Sequence, residues 1–398
     1  MPRFHTIDDL DVAGKRVLLR ADLNVPVKDG KMTDATRIER LAPTIEALTA
    51  RRAKVVVMSH FGRPKGPDTE NSLRQLVEPL SQAIGGKTVH FAADCIGPEA
   101  KAVVDALQPG EVALLENLRF HPEEEKNDTG FAKQLAELGD VYVDDAFSAA
   151  HRAHASIAAL AHLLPNAAGK LMQAELEALS AALEHPQKPV MALIGGSKVS
   201  TKLDLLKFII GKVDRLAIGG AMANTFLFAQ GRGVGRSLCE KEMADTARDI
   251  LAAAEKRGCE VILPDDAVTA EELKPGVVTR TVGINAVPQN AMMLDIGPDS
   301  VKRIAAALDA SKTLVWNGPV GAFEIKPFDR ATVALAKKIA ELTEAKKLLS
   351  VAGGGDTVAA LAAAGVEDQL TYVSTAGGAF LEWLEGKELP GVVALAVP

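Results

Sequence analysis

The chain has 398 residues, of which 47% are hydrophobic and 24% are charged, and its formal net charge at neutral pH is −7. This length favours two or three domains, and this composition excludes a disordered or collagen-like protein. The net negative charge argues against a general nucleic-acid-binding surface, and no apolar segment approaches the ~20 residues of a membrane helix.

The cysteines and the N-terminus indicate the compartment. Cys95, Cys239 and Cys259 are odd in number and widely spaced, and no pair of them has the spacing of metal ligands. This pattern is typical of a protein in a reducing cytosol. The first residues, MPRFHTIDDLDVAGK, lack the apolar segment of a signal peptide. We therefore expect a cytoplasmic protein.

Short β-rich segments alternate along the chain with longer segments rich in Ala, Leu, Lys and Glu, which is the pattern of βαβ units. The predicted strands of the first half are RVLLRADL, KVVVMSHF, TVHFA, VALLENLRF and VYVDDAF. Those of the second half are PVMALIGG, RLAIGGAM, EVILPDD, AMMLDIG, TLVWNGP, LLSVAGGG and TYVSTAGG. The predicted fold class is α/β, with two Rossmann-like three-layer α/β/α lobes whose sheets are mainly parallel.

A helix-forming segment, NAAGKLMQAELEALSAALEHPQKP, separates the two halves and is closed by Pro186 and Pro189. It predicts a first lobe at 1–165, a connecting helix or hinge at 166–189 and a second lobe at 190–378. Residues 379–398 are expected to form a tail that returns to the first lobe. Ligands of such sheets bind beyond the carboxyl ends of the strands, so the residues that follow each strand are the candidate site residues.

Basic residues follow several predicted strands of the first half. They are Arg37, Arg63, Arg119, Arg152, His60, His151 and His154, and they accompany Asp22 and Asn24. A guanidinium matches carboxylate or phosphate oxygens in pairs, so these residues would together form a pocket for a small, highly charged anion. Taken singly, each arginine is better explained as a surface residue paired with an acid, and each histidine as a hydrogen-bonded structural residue.

The second half lacks both common phosphate-binding motifs, since no segment fits GxxxxGK[ST] and GRGVGRS misses the spacing of GxGxxG. Instead, a predicted strand runs into three glycines at 353–355, followed by Asp356, Thr357 and a helix-forming segment. Glycines permit close backbone approach, and the free N–H groups at a helix start favour phosphate. Asp356 is explained either as a ligand of a hard cation beside that phosphate or as the cap of the helix.

A second junction between glycines and a helix is GGSKVSTKLDLL. Lys198 and Lys202 are four residues apart, and we expect them to share one helix face near its first turn. Such lysines are either simply solvated or hold a phosphate between them. The segment WNGPVGAFE adds Asn317, Pro319 and a possible ribose-binding acid, Glu324.

Eight segments, in order and over essentially the whole chain, resemble the phosphoglycerate kinase family. They are RADLNVP, SHFGRP, LLENLRF, DAFSAAHRAHAS, GGSKVSTK, VWNGPVGAFE, VAGGGDT and VSTAGGA. The resemblance implies a glycolytic kinase that transfers the acyl phosphate of 1,3-bisphosphoglycerate to MgADP, giving 3-phosphoglycerate and MgATP, by direct in-line transfer after hinge closure. It implies Mg²⁺ as cofactor, ATP or ADP as co-substrate, and a monomer without nucleic-acid or membrane partners.

The resemblance also implies a role for individual residues. The first lobe would hold 3-phosphoglycerate with Asp22, Leu23, Asn24, Arg37, His60, Phe61, Gly62, Arg63, Arg119 and Arg152. The second lobe would hold the nucleotide with Gly196, Lys198, Lys202, Gly220, Asn317, Pro319, Glu324, Gly353, Gly354, Gly355, Asp356 and Thr357. Asp356 would be the magnesium ligand. The catalytic residues would be Arg37, Lys198, Gly354 and Gly355, with Lys198 and Arg37 meeting the transferring phosphoryl group.

The sequence departs from the common family pattern at a few positions. Ser148 and Ala149 stand where many members have Gly-Thr, Ala221 and Ala376 replace glycines, and Met293 replaces a glycine of the nucleotide pocket. These differences bear on the adenine contacts and on the loops near the hinge. They leave the implied reaction intact.

The implied reaction matches the distribution of histidines, none of which follows His185. In the direction of 1,3-bisphosphoglycerate synthesis the nucleophile is a carboxylate that is already ionised at neutral pH, so the nucleotide lobe needs no general base. Two other classes of protein compete with this interpretation. A nicotinamide dehydrogenase would carry the GxGxxG fingerprint, which is missing. A two-lobed anion receptor would have no use for Lys198 or Asp356, and an added interaction role leaves no trace in the sequence.

Overall fold

The computed structural model describes residues 3–28 and 31–397. The chain divides into two compact units, of which the first contains the described residues up to Leu176 together with those from Glu388 onward, and the second is Glu177–Lys387. The lobe boundaries proposed from the sequence, at 165, 189 and 378, stay predictions. Residues 1, 2 and 398, which those boundaries include, and residues 29 and 30 lie outside the described residues. Among the helices that the structure describes, none combines the length and the apolar character needed to cross a lipid bilayer.

The first unit is built on a parallel sheet that has the strand order β5-β6-β4-β1-β7-β8. The strands of this unit are β1 (Arg16–Arg20), β2 (Val27–Lys28), β3 (Lys31–Met32), β4 (Lys54–Met58), β5 (Val89–Ala92), β6 (Val112–Leu115), β7 (Val141–Asp144) and β8 (Asn166–Ala168). Strands β2 and β3 form a separate antiparallel hairpin. The central strands are buried almost throughout, which explains their continuous apolar sequences.

The helices of the first unit follow its strands. They are α1 (Thr36–Ala50), α2 (Val77–Ala83), α3 (Gly97–Ala106), α4 (Thr129–Ala136) and α5 (Lys170–Leu179), the last of which crosses into the second unit. A π-helical turn, Ser180–Glu184, continues α5 and ends before Pro186, as the sequence predicts. Strand β8 was not predicted, because it lies within the segment interpreted as helical connector.

The second unit repeats the plan with the strand order β11-β10-β9-β15-β16-β17, again parallel. Its strands are β9 (Val190–Ile194), β10 (Arg215–Ile218), β11 (Glu260–Ile262), β12 (Asp266–Ala270), β13 (Arg280–Gly283), β14 (Met292–Ile296), β15 (Thr313–Asn317), β16 (Leu349–Gly353) and β17 (Tyr372–Ser374). Its helices are α6 (Leu203–Ile209), α7 (Gly220–Ala229), α8 (Ala244–Lys256), α9 (Pro298–Asp309), α10 (Arg330–Glu344), α11 (Gly355–Ala364) and α12 (Gly378–Leu384). The predicted fold class, two parallel-sheet α/β units, is confirmed.

One element of the second unit differs from expectation. Strands β12, β13 and β14 form a small antiparallel sheet of their own, so the predicted strand AMMLDIG does not join the parallel sheet. Strand β13 is largely exposed, and therefore lacks the apolar signal by which the sequence would have revealed it.

The end of the chain packs in the first unit. A last helix, α13 (Pro390–Ala394), begins just after Leu389, and the Gly391 N–H donates to the carbonyl of Ala150 at 2.8 Å. The Val397 N–H donates to the carbonyl of Arg3 at 2.7 Å. The C-terminal segment is therefore held by backbone hydrogen bonds to the same unit that contains the start of the chain.

Candidate active site

The strand order of the first unit creates a topological switch point. The chain leaves β1 toward β4 on one side and returns to β7 on the other, so the carboxyl ends of β1 and β7 border a crevice where ligands of such sheets bind. Asp22, two residues beyond β1, accepts a hydrogen bond from the hydroxyl of Ser148, which follows β7. The predicted residues of the loop after β1 therefore stand at this crevice.

Arg37 is anchored at the same place. Its Nη1 lies 3.0 Å from Oδ2 of Asp22 and donates to the carbonyl of Asn24 at 2.7 Å. The Asn24 side chain in turn accepts from the N–H of Gly62 at 2.9 Å, which ties the loop after β1 to the loop after β4. Arg37 keeps 37% of its side chain exposed, so the guanidinium is both oriented by an acid and open to a further anion.

His60 is buried beside Arg20. The sequence predicted His60 as a site residue but did not predict Arg20. Arg20 is fully buried at the end of β1, where it donates through Nε to the hydroxyl of Ser156 at 2.8 Å, and its Nη2 lies 3.2 Å from Nδ1 of His60. Because a guanidinium only donates, Nδ1 of His60 accepts and the ring proton is left on Nε2. The sequence signal that would have revealed Arg20 is a charged residue at the end of the apolar strand β1.

Two further arginines, Arg119 and Arg152, are close enough to the histidines of this pocket to lower their pKa values. Burial, and then the charges of Arg20, Arg119 and Arg152, lower the pKa of His60 well below its ordinary value, despite the opposing charge of Asp22. Burial and the same three guanidiniums lower the pKa of His154 to about 4. Both imidazoles are therefore neutral at physiological pH, and the positive charge of the pocket comes from the arginines.

The remaining predicted residues of the first unit differ in exposure. Arg119 is buried, and it donates to the carbonyl of Gly62 at 2.6 Å, with its Nε 3.3 Å from Glu125. Arg63 is exposed. Leu23 and Phe61 are buried, and their N–H groups donate to the side chains of Ser59 and Asn117. Leu23 and Phe61 therefore contribute by holding the backbone of the loops that follow β1 and β4.

The second unit has its own switch point, between β9 and β15. Lys202 bridges the ends of these strands, because its Nζ donates to the carbonyl of Gly195 at 2.6 Å and to Oδ1 of Asn317 at 2.5 Å. Burial lowers the pKa of Lys202 to about 8. The ammonium is thus held against the backbone where the two strands separate.

The expected pairing of Lys198 with Lys202 on one helix face is wrong. Lys198 lies before the first helical turn, the segment Ser200–Lys202 is a 3₁₀ turn, and α6 begins only at Leu203. Lys198 is exposed, whereas the Lys202 side chain turns back toward Gly195. The sequence does not predict this difference, because residues four apart lie on the same helix face only if one helix contains both of them.

The three glycines at 353–355 make the predicted strand-to-helix junction, because Gly353 ends β16 and Gly355 begins α11. Gly354 occupies the N-cap position with φ +96°, a value that favours glycine, and Asp356 is the second residue of α11. Asp356 is therefore not the cap of this helix, which removes the second of its two explanations. A Cβ on Gly354 would lie 2.6 Å from Nδ2 of Asn317, so the junction also packs tightly.

Thr357 and Asn317 join this junction to the end of β15. Oγ1 of the buried Thr357 accepts from the N–H of Gly318 at 2.7 Å. Nδ2 of Asn317 donates to the carbonyl of Gly353 at 2.8 Å, while its Oδ1 accepts from Lys202. These two side chains hold the glycine-rich turns, and so act on the shape of the site.

A cleft of about 390 Å³ opens beside these turns, within the range of small-molecule sites. Of the predicted nucleotide residues, its wall includes Gly196, Gly220, Pro319, Glu324 and Asp356. Ala221 and Met293 also line it, and Met293 belongs to an apolar cluster with Leu227, Ala267 and Ile284. The cleft therefore combines glycine-rich backbone and carboxylates with an apolar surface, as a nucleotide requires.

Two carboxyl groups on the wall of the cleft have different environments. Burial raises the pKa of Asp295 to about 8, even though its oxygens accept from the N–H groups of Ile296 and Ala331. Asp356 is exposed at the start of α11. An exposed carboxylate at a glycine-rich helix start fits Mg²⁺, which prefers oxygen ligands and keeps several waters.

Comparisons with known proteins agree over the whole length. A family model described as phosphoglycerate kinase matches residues 7–387. The phosphoglycerate kinase of Rhodospirillum centenum is 61% identical over 393 residues, covering 98% of this chain and 99% of its own. That of Rhizobium leguminosarum bv. trifolii is 60% identical over 397 residues, with 99% of each chain covered. The solved structure of phosphoglycerate kinase from Coxiella burnetii matches with a TM-score of 0.92 at 43% identity, covering 99% of both chains.

Proposed function

The chain belongs to the phosphoglycerate kinase family, and from this premise we infer that it transfers a phosphoryl group reversibly between 1,3-bisphosphoglycerate and ADP, a step of glycolysis. The observation that supports this reaction best is the occurrence of two different crevices in one chain of this family. The first unit has an arginine-rich pocket at its switch point. The second has a glycine-lined cleft beside a helix start.

We propose that the first unit binds 3-phosphoglycerate. Arg37, Arg119 and Arg152 supply positive charge, since the buried imidazoles are neutral. Arg20 fixes the ring proton of His60 on Nε2, which leaves that N–H to donate to a substrate oxygen. Asp22 and Asn24 orient Arg37 and the loop backbone. Arg63, exposed at the edge, adds a further cation for a phosphate group.

We propose that the second unit binds ATP or ADP. The phosphates lie against the backbone of Gly353, Gly354 and Gly355, where the first N–H groups of α11 are available. Mg²⁺ would be held by the Asp356 carboxylate and would neutralise phosphate charge. The adenine lies on the apolar cluster that includes Met293, and Glu324 takes the ribose hydroxyls.

The chemistry of the transfer needs little beyond alignment. The attacking carboxylate of 3-phosphoglycerate is ionised at neutral pH, so no residue has to remove a proton from it. Lys198 is exposed and unconstrained by a helix, which suits a cation that follows the phosphoryl group during in-line transfer. Arg37 meets the same group from the first unit. The two units approach each other before transfer, which excludes water from the phosphoryl group.

The assay that tests the proposal measures ADP release from ATP in a coupled reaction, with and without 3-phosphoglycerate and magnesium. We expect release only when all three are present, because ATP alone has no acceptor other than water. We propose that the active form is a cytoplasmic monomer, so specific activity should not depend on protein concentration. Tight binding of 3-phosphoglycerate without any ADP release would instead identify an anion receptor.

A further inference from the structure

Three potential metal ligands of different chemistry lie together in the first unit, outside the residues assigned to either substrate. Asp94 and Cys95 follow β5, and His121 follows the turn at the end of β6. One ligand atom from each side chain lies within 4.8 Å of the other two. Among the residues that the structure describes, no other group of three or more histidine, cysteine and acidic side chains meets this condition.

The three side chains are already oriented toward one another. Oδ1 of Asp94 lies 2.7 Å from Nε2 of His121, and it also accepts from the N–H of Cys95 at 2.6 Å. The imidazole packs on the ring of Phe131, with 5.2 Å between the ring centroids. The carboxylate is tied to the backbone and the imidazole is fixed by a ring contact, as outer contacts fix the ligands of protein metal sites.

The three side chains differ in their exposure to solvent, and the exposed ones leave a path by which an ion enters the group. Cys95 is fully buried, whereas 26% of the His121 side chain and 40% of the Asp94 side chain are exposed. A cation entering from the solvent therefore meets the carboxylate and the imidazole first and the sulfur last.

We propose that Asp94, Cys95 and His121 form a binding site for a thiophilic divalent cation of the Zn²⁺ class, with water as the fourth ligand. Tetrahedral zinc with sulfur, nitrogen and oxygen ligands places its donor atoms roughly 3.3–3.7 Å apart. Oδ1 of Asp94 and Nε2 of His121 are closer than this, at 2.7 Å, and all three ligand atoms lie within 4.8 Å of one another, so side-chain rotations bring them to the tetrahedral spacing when the ion binds. The thiol gives its proton to the solvent on binding.

The same donor set separates this site from the nucleotide metal. Magnesium prefers oxygen ligands, and a sulfur and an imidazole nitrogen disfavour it. Zinc and cobalt, which accept sulfur and nitrogen, fill the same tetrahedral geometry. The cation of this site is therefore distinct from the one proposed at Asp356.

The test uses Co²⁺ alone as a spectroscopic probe of the nucleotide-free chain, because a thiolate bound to Co²⁺ gives an intense charge-transfer band in the near ultraviolet. We expect the band to saturate at one Co²⁺ per chain and to disappear when Zn²⁺ is added. His121→Asn should weaken Co²⁺ binding at least about tenfold. Asp356→Asn should leave the band unchanged, since that carboxylate offers no sulfur.

A variant that keeps Cys95 as its only cysteine tests the site without substituting Cys95 itself. Cys239→Ala combined with Cys259→Ala leaves Cys95 as the sole thiol of the chain. The band should persist in this double variant at the wild-type intensity, with folding checked by circular dichroism. A band that is absent from the wild-type protein, or that is lost in the double variant while the fold is retained, overturns the proposal.

Discussion

Two lysines four residues apart have opposite environments in the second unit. Lys202 is half-buried and bonded to the backbone at the switch point, where it stabilises the turn that borders the cleft. Lys198 is exposed and precedes the helix, so its ammonium keeps the freedom to move with a reacting group. The environments therefore favour a structural role for Lys202 and the proposed catalytic role for Lys198, although the sequence presents the two lysines as a pair.

Lys198→Ala should lower turnover far more than it weakens binding of either substrate, because the charge that Lys198 stabilises develops mainly during transfer. The loss should correspond to about 2–4 kcal/mol of transition-state stabilisation. Steady-state kinetics with both substrates measure it. Lys207→Ala, which removes an exposed lysine from α6, serves as the matched control. Near-normal turnover of Lys198→Ala would remove this residue from the mechanism.

Asp356→Asn should weaken MgATP and MgADP while leaving the affinity for 3-phosphoglycerate nearly intact. The amide keeps the shape of the side chain at the start of α11 but loses the charge that a hard cation requires. Titrations of nucleotide with and without magnesium give the gain in affinity that the metal supplies. Asp368→Asn, at an exposed position in the same unit, is the control. A variant that keeps the full magnesium-dependent gain shows that Asp356 is not the ligand.

Helix α5 begins on a carboxylate that comes from another element. Oδ1 of the fully buried Asp145, which follows β7, accepts from the N–H groups of Leu171 and Met172 at 2.9 and 3.0 Å. Burial nevertheless raises the pKa of Asp145 to about 6. The start of the segment that leads from the first unit to the second is thus tied to the end of β7 by a titratable group.

The pKa of Asp145 gives its contribution to stability a definite sign. Because the folded pKa is raised, this contribution is fully present below about pH 4 and is lost as the pH rises through about 6, by roughly 3 kcal/mol at most. Asp145→Asn keeps the acceptor oxygen and removes the titration. Its urea midpoint, relative to wild type, should therefore be higher at about pH 8 than at about pH 4.5.

Asp140→Asn supplies the opposite sign as a control. The hydrogen bond from Arg16 lowers the pKa of Asp140, so its contribution is present at neutral pH and is lost as the pH falls. This variant should therefore lose more stability, relative to wild type, at the higher pH. Equal shifts of the Asp145→Asn midpoint at both pH values would contradict the assignment of a buried, titrating Asp145.

The glycine turns of the second unit fit together through their backbones. Gly220 has φ +69°, and a Cβ there would lie 2.5 Å from the carbonyl oxygen of Gly196. Gly231 has a similar φ of +82°, but a Cβ there meets nothing within 4 Å. The pair separates the cost of a left-handed backbone from the cost of a steric collision.

Gly220→Ala should lower both the stability of the chain and its affinity for nucleotide, whereas Gly231→Ala should cost only the backbone strain of about 1–2 kcal/mol. The collision moves the turn that lines the cleft, and Gly231 is not among the residues of that wall. Urea unfolding and nucleotide titration measure the two effects. Equal nucleotide affinity in both variants would show that the turn at Gly220 does not shape the site.

The strand ends show what the sequence could predict and what it could not. Parallel strands buried on both faces have continuous apolar sequences, so the sequence predicts β1, β4, β9 and β16, and with them the residues that follow these strands, among them Asp22, His60 and Asp356. Side-chain direction was not encoded in this way. The turn of Lys202 toward Gly195 depends on a contact between two strands, and the burial of Arg20 depends on Ser156, 136 positions away.

The proposed mechanism divides the chemistry between two units that fold around separate sheets. The arginine pocket and the nucleotide cleft each lie within one unit, at the switch point of its own sheet. A phosphoryl group passes directly between substrates only if their reacting atoms come within bonding reach. The contacts that would favour such a state are those of Arg37 and Lys198 with one phosphoryl group, which neither ligand alone provides.

Small-angle X-ray scattering of the full chain tests whether two substrates that bind to different units are brought together for transfer. The radius of gyration is measured for the free protein, with 3-phosphoglycerate, with magnesium nucleotide, and with both substrates or a transition-state mimic. We predict the largest decrease in radius of gyration when both substrates are present and a smaller decrease with either alone. The molecular mass obtained from the same scattering data tests the proposed monomer. A radius of gyration that is the same in every state of an enzyme shown to be active would contradict this account.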